Sequence, residues 1–383
     1  MVSRSAKSSW LFTQFVVSVA LLLAGCPSLP DDEAALVLED LGARMEDSRL
    51  KRNTPKPERR LVAYAEDGRN FRGDLYLPGE PALAGIVLVP GAAAKGKNDP
   101  RLVAFATTLA RTRFLVLVPD LPNLRALKVR AEDAGNIATA FRHLRSRPEI
   151  PTEAGAGIGA FSYAVGPAVL AAMEPDIRTR VNFVLGVGGY YDLHSVVNFF
   201  TTGYFLNNGQ WEYLEPNVYG KWVFVLSNVD RLSDARDRQV LRTMAKRKMN
   251  DPQAPVADLR SNLTEEGRSV VDLLENRNRE RTPELIAALP AEIRAEMQAL
   301  NLANKDLSRL HAHLILLHGK DDDIIPYTES LALAAAVPPE HSDLFLIDGL
   351  AHVDTRPVGL DRQAAWQAIH AVLAQRLGSG EVR

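Results

Sequence analysis

Cysteine is almost missing: the 383 residues hold one, Cys26, so no disulfide can close within the chain and a disulfide-stapled scaffold is excluded. An excess of one charge is missing too. The 45 Lys and Arg against 47 Asp and Glu leave a net charge of -2, and no basic stretch asks for a nucleic-acid partner. Beyond the first two dozen residues no apolar run is long enough to span a bilayer. No internal repeat or low-complexity run occurs, and no grouping of histidine, cysteine and carboxylate has metal-ligand spacing, so neither metal nor cofactor is called for. What is present, 46% hydrophobic and 24% charged residues, suits a globular body with a large core.

The amino terminus reads as a sorting signal. Arg4 and Lys7 make a basic start, Trp10 to Leu23 is apolar apart from Thr13, Gln14 and Ser18, and Leu23-Ala24-Gly25-Cys26 ends the run. The run is short and abruptly closed, which fits a cleaved export signal better than a membrane span. LAGC resembles the lipobox of bacterial lipoproteins. That resemblance implies a signal over residues 1–25, a lipid-modified Cys26 as first mature residue, and attachment to a membrane of the cell envelope, outside the cytoplasm. Residues 26–60 then read as a tether: 31–47 can form a short helix with Leu36, Leu38, Leu41 and Met45 partly on one face, and Leu50 to Arg60 is charged and proline-bearing.

From Leu61 the pattern changes. Leu61 to Tyr64 and Phe71 to Leu77 read as strands joined by a tight turn at Asp67-Gly68. Ala84 to Val89 and Phe114 to Val118 are apolar strands and Val181 to Val187 is one more strand, alternating with helices over 101–111 and 131–144. The alternation predicts an α/β fold with a mostly parallel sheet flanked by helices. After Asp192 it stops for more than a hundred residues. Aromatics crowd 199–225, and amphipathic helices are expected over 233–248, 264–276 and 283–303, the last broken at Pro290, with Leu285, Leu289, Ile293, Met297 and Leu300 on one face. Strand and helix return at His313 to Leu317, Glu329 to Ala336, Asp343 to Ile347 and 361–377.

Three short stretches carry the chemistry. In Ile158 to Gly166 (IGAFSYAVG) a strand runs into a helix with Ser162 at the joint, where the first helical amides face any negative charge that develops. Read alone, this is equally the serine cap of an ordinary helix. The second stretch, His318 to Pro326 (HGKDDDIIP), holds three consecutive aspartates after an apolar strand, and the third places His352 in the loop after the last strand.

Together they resemble the alpha/beta-hydrolase family. The serine stretch is similar to its nucleophile elbow, G-x-S-x-G, with Ala160 and Ala164 where glycine is usual, and the order serine, aspartate, histidine is the family's. The resemblance implies a fold split into 61–192 and 311–383, with residues 193–310 a largely helical cap between the sixth and seventh strands. It implies Ser162 as nucleophile, His352 as general base and Asp322 as triad acid, with Asp321, Asp323 and the more distant Asp192 as competitors. The oxyanion hole would use the backbone N–H groups of Tyr163 and of Ala92, the latter after Pro90-Gly91, where the family more often has His-Gly. His143, His194, His311, His313, His318, His341 and His370 lack such context and are assigned to surface or packing.

The expected activity is therefore hydrolysis of a carboxylic ester, through an acyl-enzyme, on a small-molecule or acyl-ester substrate. A peptidase or thioesterase with the same residues is the neighbouring reading. A non-catalytic binding or scaffold lipoprotein on the same fold is the reading from another class, motivated by the two alanines and by Pro90-Gly91.

Overall fold

The computed structural model describes residues 31–352, 354–355 and 359–377. The expected signal segment and Cys26 lie outside these residues. Eight strands form the central sheet: β1 (Glu58–Glu66), β2 (Arg69–Leu77), β3 (Ala84–Val89), β4 (Phe114–Pro119), β5 (Ala156–Phe161), β6 (Phe183–Val187), β7 (His313–Gly319) and β8 (Ser342–Ile347). Their order across the sheet is β1-β2-β4-β3-β5-β6-β7-β8. β2 runs antiparallel to both of its neighbours, and every other pair is parallel.

The hydrophobic runs explain this order. Every residue of β3, β4 and β6 is buried, as strands covered on both faces require. Alternate residues face opposite sides: Val87, Val89, Ile158 and Ala160 join one core, and Ile86, Leu88, Val116 and Val118 join the other. The helices Asp133–Arg145 and Val165–Ala172 cover the first face. Pro100–Arg111 and Arg362–Ala374 cover the second. The turn from β1 to β2 has positive φ at both Asp67 (49°) and Gly68 (73°), the conformation that an Asp-Gly hairpin favours.

The segment expected to be a tether departs from its expectation. Residues 33–53 form two helices, Glu33–Ala43 and Arg49–Asn53, packed on the second face, and β1 already begins at Glu58. Ala34, Val37 and Leu50 are core residues, each no more than 3% exposed, whereas Met45 is 75% exposed. The charges that suggest a solvated spacer are paired instead. Asp40 is buried and accepts from the hydroxyls of Ser48 and Thr108, with Lys51 2.7 Å away. The far end of this layer is tied down by Trp366, whose Nε1–H donates to Asp32 (2.9 Å), and by Arg376, which meets both Glu33 and the Thr112 carbonyl.

Between β6 and β7 lies an insertion, chiefly the helices Leu193–Thr202, Tyr219–Asn228, Ala235–Asn250, Glu265–Glu275, Thr282–Ala287 and Ala291–Leu300. Pro290 separates the last two, and Leu285, Leu289, Ile293, Met297 and Leu300 are all buried on the expected face. A small hairpin, Tyr204–Asn207 with Gln210–Tyr213, interrupts the aromatic stretch.

Candidate active site

Ser162 stands where β5 ends, and its backbone is in the left-handed region, φ +56°, between extended Phe161 and the helical turn Ser162–Ala164. A non-glycine residue there is strained by about 1–2 kcal/mol. The strain is held in place by close packing. A Cβ added to Gly157 would sit 2.5 Å from the Phe183 ring, and one added to Gly166 would sit 2.0 Å from the Tyr190 hydroxyl. Ala160 and Ala164, which replace the family's glycines, are fully buried, so the tight crossing between the serine's helix and its neighbours falls at Gly166 instead.

The candidate acid comes from the loop after β7. Asp322 is 1% exposed, and its Oδ1 accepts from the backbone N–H of Ile324 (2.9 Å) and Ile325 (3.0 Å). Gly319 makes the next step possible: a Cβ there would lie 1.4 Å from the Leu350 carbonyl oxygen, so only glycine lets the loop after β8 cross the end of β7. That crossing carries His352, itself at φ +50°, into place. His352 Nδ1 lies 2.7 Å from Asp322 Oδ2, and its Nε2 lies 2.7 Å from Ser162 Oγ. Serine, histidine and aspartate thus form one continuous line of hydrogen bonds. The fold is that of an alpha/beta hydrolase.

The competing acids are placed otherwise. Asp192 caps the helix Leu193–Thr202, accepting from His194 N–H (3.0 Å) and Asn301 Nδ2 (3.1 Å). Asp321 and Asp323 are only half-buried. Burial and the neighbouring Asp322 charge push the Asp323 carboxyl up. In Asp322 burial also opposes ionisation, but the charge of His352 and hydrogen bonds from His318 and His352 outweigh it and hold this carboxyl far below the usual range. It is an ionised acceptor at any physiological pH.

A cleft of about 530 Å³ opens over Ser162 and His352. Ala92 lines it, and the loop Pro90-Gly91-Ala92 lies against the serine: a Cβ on Gly91 would be 3.7 Å from Ser162 Cβ. Tyr163 occupies the first helical turn, directly after Ser162, where N–H groups have no intrahelical acceptor. The insertion contributes Asn217 and Tyr219 to the cleft, and Tyr219 donates its hydroxyl to the Ala92 carbonyl (2.6 Å). The helix expected to be a tether contributes Leu41, with Arg44 just beyond it, alongside Leu102, Phe105 and Phe161. Among the described residues no group of histidine, cysteine and carboxylates is placed to hold a metal ion.

Two features of this candidate site were not expected from the sequence. Leu41 and Arg44 come from a segment read as a spacer. His318, read as surface or packing, is fully buried and contacts Asp322 itself, its Nε2 3.1 Å from Oδ2. The available signal was its place at the end of an apolar strand, four residues before the acid.

The chain matches no protein-family model and no curated protein sequence. Solved structures of similar fold include the 2,6-dihydroxy-pseudo-oxynicotine hydrolase, 13% identical with a TM-score of 0.46 over 85% of this chain and 68% of that one. Another is the Pyrococcus horikoshii acylaminoacyl peptidase, 14% identical with a TM-score of 0.47 over 87% of this chain but only 44% of the peptidase. A third is the alpha/beta hydrolase GrgF from Penicillium sp., 14% identical with a TM-score of 0.47, covering 84% and 96%. Likenesses this loose carry no weight for function.

Proposed function

We propose that the chain is a serine hydrolase that cleaves carboxylic esters through an acyl-enzyme. One observation carries the reading: Ser162 Oγ, His352 Nε2, His352 Nδ1 and Asp322 Oδ2 are linked by two contacts of 2.7 Å each, beneath an open cleft. A serine hydroxyl is a poor nucleophile at neutral pH, and His352 is placed to take its proton as the oxygen attacks a carbonyl. Asp322, ionised and held by two backbone amides, keeps the imidazole hydrogen on Nδ1 and stabilises the imidazolium that forms. The backbone N–H groups of Tyr163 and Ala92 would receive the oxyanion, each worth roughly a hundred- to a thousand-fold in rate. Collapse of the tetrahedral intermediate expels the alcohol, which takes the proton from His352. Water, activated by the same histidine, then releases the acid.

The insertion acts in this reading as a cap, since Asn217 and Tyr219 close one side of the cleft. We also propose, from the LAGC motif, that Cys26 is lipid-modified and that the enzyme works in the cell envelope outside the cytoplasm. Replacing Cys26 with serine is expected to release the protein from the membrane fraction; retention of a lipid label on that variant contradicts the anchor.

The deciding test is labelling of the purified full chain with a fluorophosphonate, followed by a screen of p-nitrophenyl esters, thioesters and peptide amides. Labelling of the parent that is lost in Ser162→Ala and in His352→Ala is expected. A folded parent that resists the probe refutes the hydrolase reading.

A further inference from the structure

The acid of the site has a second histidine on it. His318 is 0% exposed and fully enclosed between strand and loop. Its Nε2 lies 2.9 Å from the Ile325 carbonyl oxygen and 3.1 Å from Asp322 Oδ2, and its Nδ1 lies 2.7 Å from Ser330 Oγ. A carbonyl oxygen can only accept, so Nε2 carries a hydrogen, and that hydrogen is shared with the carboxylate. The oxygen it reaches is the one that holds His352. Asp322 therefore receives two donors on each oxygen: Ile324 and Ile325 on Oδ1, His318 and His352 on Oδ2.

From this we infer that His318 is a positioning residue of the hydrolase site, fixing the Asp322 carboxylate and sharing its charge so that His352 is held in register with Ser162. The inference rests on the hydrolase reading above. Its physical basis is the two-sided grip. Backbone amides alone fix one oxygen and leave the carboxylate free to swing about the bond that joins it to Cβ; a donor anchored to a separate helix fixes the other. Ser330, 1% exposed on the helix Thr328–Ala335, supplies that anchor. The sharing also matters electrostatically. Withdrawing the His318 hydrogen concentrates negative charge on the oxygen that faces His352, which favours the imidazolium and removes the base at a higher pH.

The test is the rate of fluorophosphonate labelling of Ser162 as a function of pH, which requires no knowledge of the natural substrate. His318→Leu keeps bulk and removes the donor. Its plateau rate is expected to fall about ten-fold, the loss typical of a hydrogen bond to a charged group, and its acid limb to move to higher pH. His318→Gln restores a donor near the Nε2 position and is expected to recover most of the rate and return the limb toward the parent's. Ser330→Ala, which loosens the anchor alone, is expected to move both in the Leu direction by less, and it decides the matter if circular dichroism shows the Leu variant unfolded. A folded His318→Leu with the parent's rate and limb overturns the inference, as does a Gln variant no better than Leu. If the parent itself is not labelled, the hydrolase reading fails, and the positioning role falls with it.

Discussion

Exchanging Asp322 for asparagine tests the site by one atom. The carboxylate meets four donors, two backbone amides at 2.9 and 3.0 Å on Oδ1 and two imidazoles at 2.7 and 3.1 Å on Oδ2. Asparagine offers one oxygen and one NH2 group, and two orientations compete. With its NH2 toward Ile324 and Ile325, two buried backbone donors lose their acceptor, at about 1–3 kcal/mol each. With its NH2 toward the imidazoles, His318 can fall back on the Ile325 carbonyl at 2.9 Å, and His352 can accept at Nδ1 by moving its hydrogen to Nε2. The second orientation is the less costly. It leaves Nε2–H pointing at Ser162, unable to accept the serine proton. Turnover is therefore expected to fall about 10⁴-fold, close to 5.5 kcal/mol of transition-state stabilisation, with stability nearly unchanged. The assay pairs ester turnover and fluorophosphonate labelling with thermal unfolding. Asp192→Asn and Asp323→Asn serve as controls and should remain near the parent. An Asp322→Asn protein that keeps a tenth or more of the activity, or a control that loses as much, refutes the assignment.

Two further outcomes follow from burial and shape. Asp133 is fully buried, its Oδ2 has no partner, and burial pushes its carboxyl up to about 6 despite hydrogen bonds from Asn123 and Asn136. A carboxyl whose folded value lies above its unfolded one costs stability as pH rises from about 4 to 6 and thereafter at full strength, so Asp133→Asn is expected to be more stable than the parent by about 3 kcal/mol near pH 8 and by little near pH 4. Urea unfolding at both pH values checks this, and a gain independent of pH contradicts it. Leu41 lines the cleft together with Phe105 and Phe161, so Leu41→Trp is expected to weaken kcat/KM for long acyl esters about ten-fold or more while sparing acetate. An unchanged chain-length profile removes this helix from the substrate path.

Much of the sheet was legible because strands buried on both faces write themselves as unbroken aliphatic runs, as Ala84–Val89 and Phe114–Pro119 do. The three candidate site residues that the fold brings together were legible for a different reason: each stands at a strand-to-loop junction, and their order along the chain is distinctive. The helix Glu33–Ala43 was legible as a helix but its docking on the sheet was not, since its polar residues are satisfied by groups far away in sequence, such as Thr108 for Asp40 and Trp366 for Asp32. His318 was hidden likewise, its role depending on where the loop after β7 folds back. The hairpin inside the insertion did leave a signal. Asn208-Gly209, with φ of 47° and 78°, is a typical two-residue hairpin turn, masked by the aromatics around it.

The helix Glu33–Ala43 also runs from the base of the body to the cleft. It starts at the edge of the sheet where the parallel strands begin, beside Thr112, the residue two before β4, and Arg376. It ends at the opposite edge, where Leu41 borders the cleft. If Cys26 is the anchor proposed above, a few residues before that start, the body is expected to be held near its base with the cleft toward the aqueous side. A tethered enzyme so oriented would meet esters arriving from solution, with its own lipid bilayer at its back.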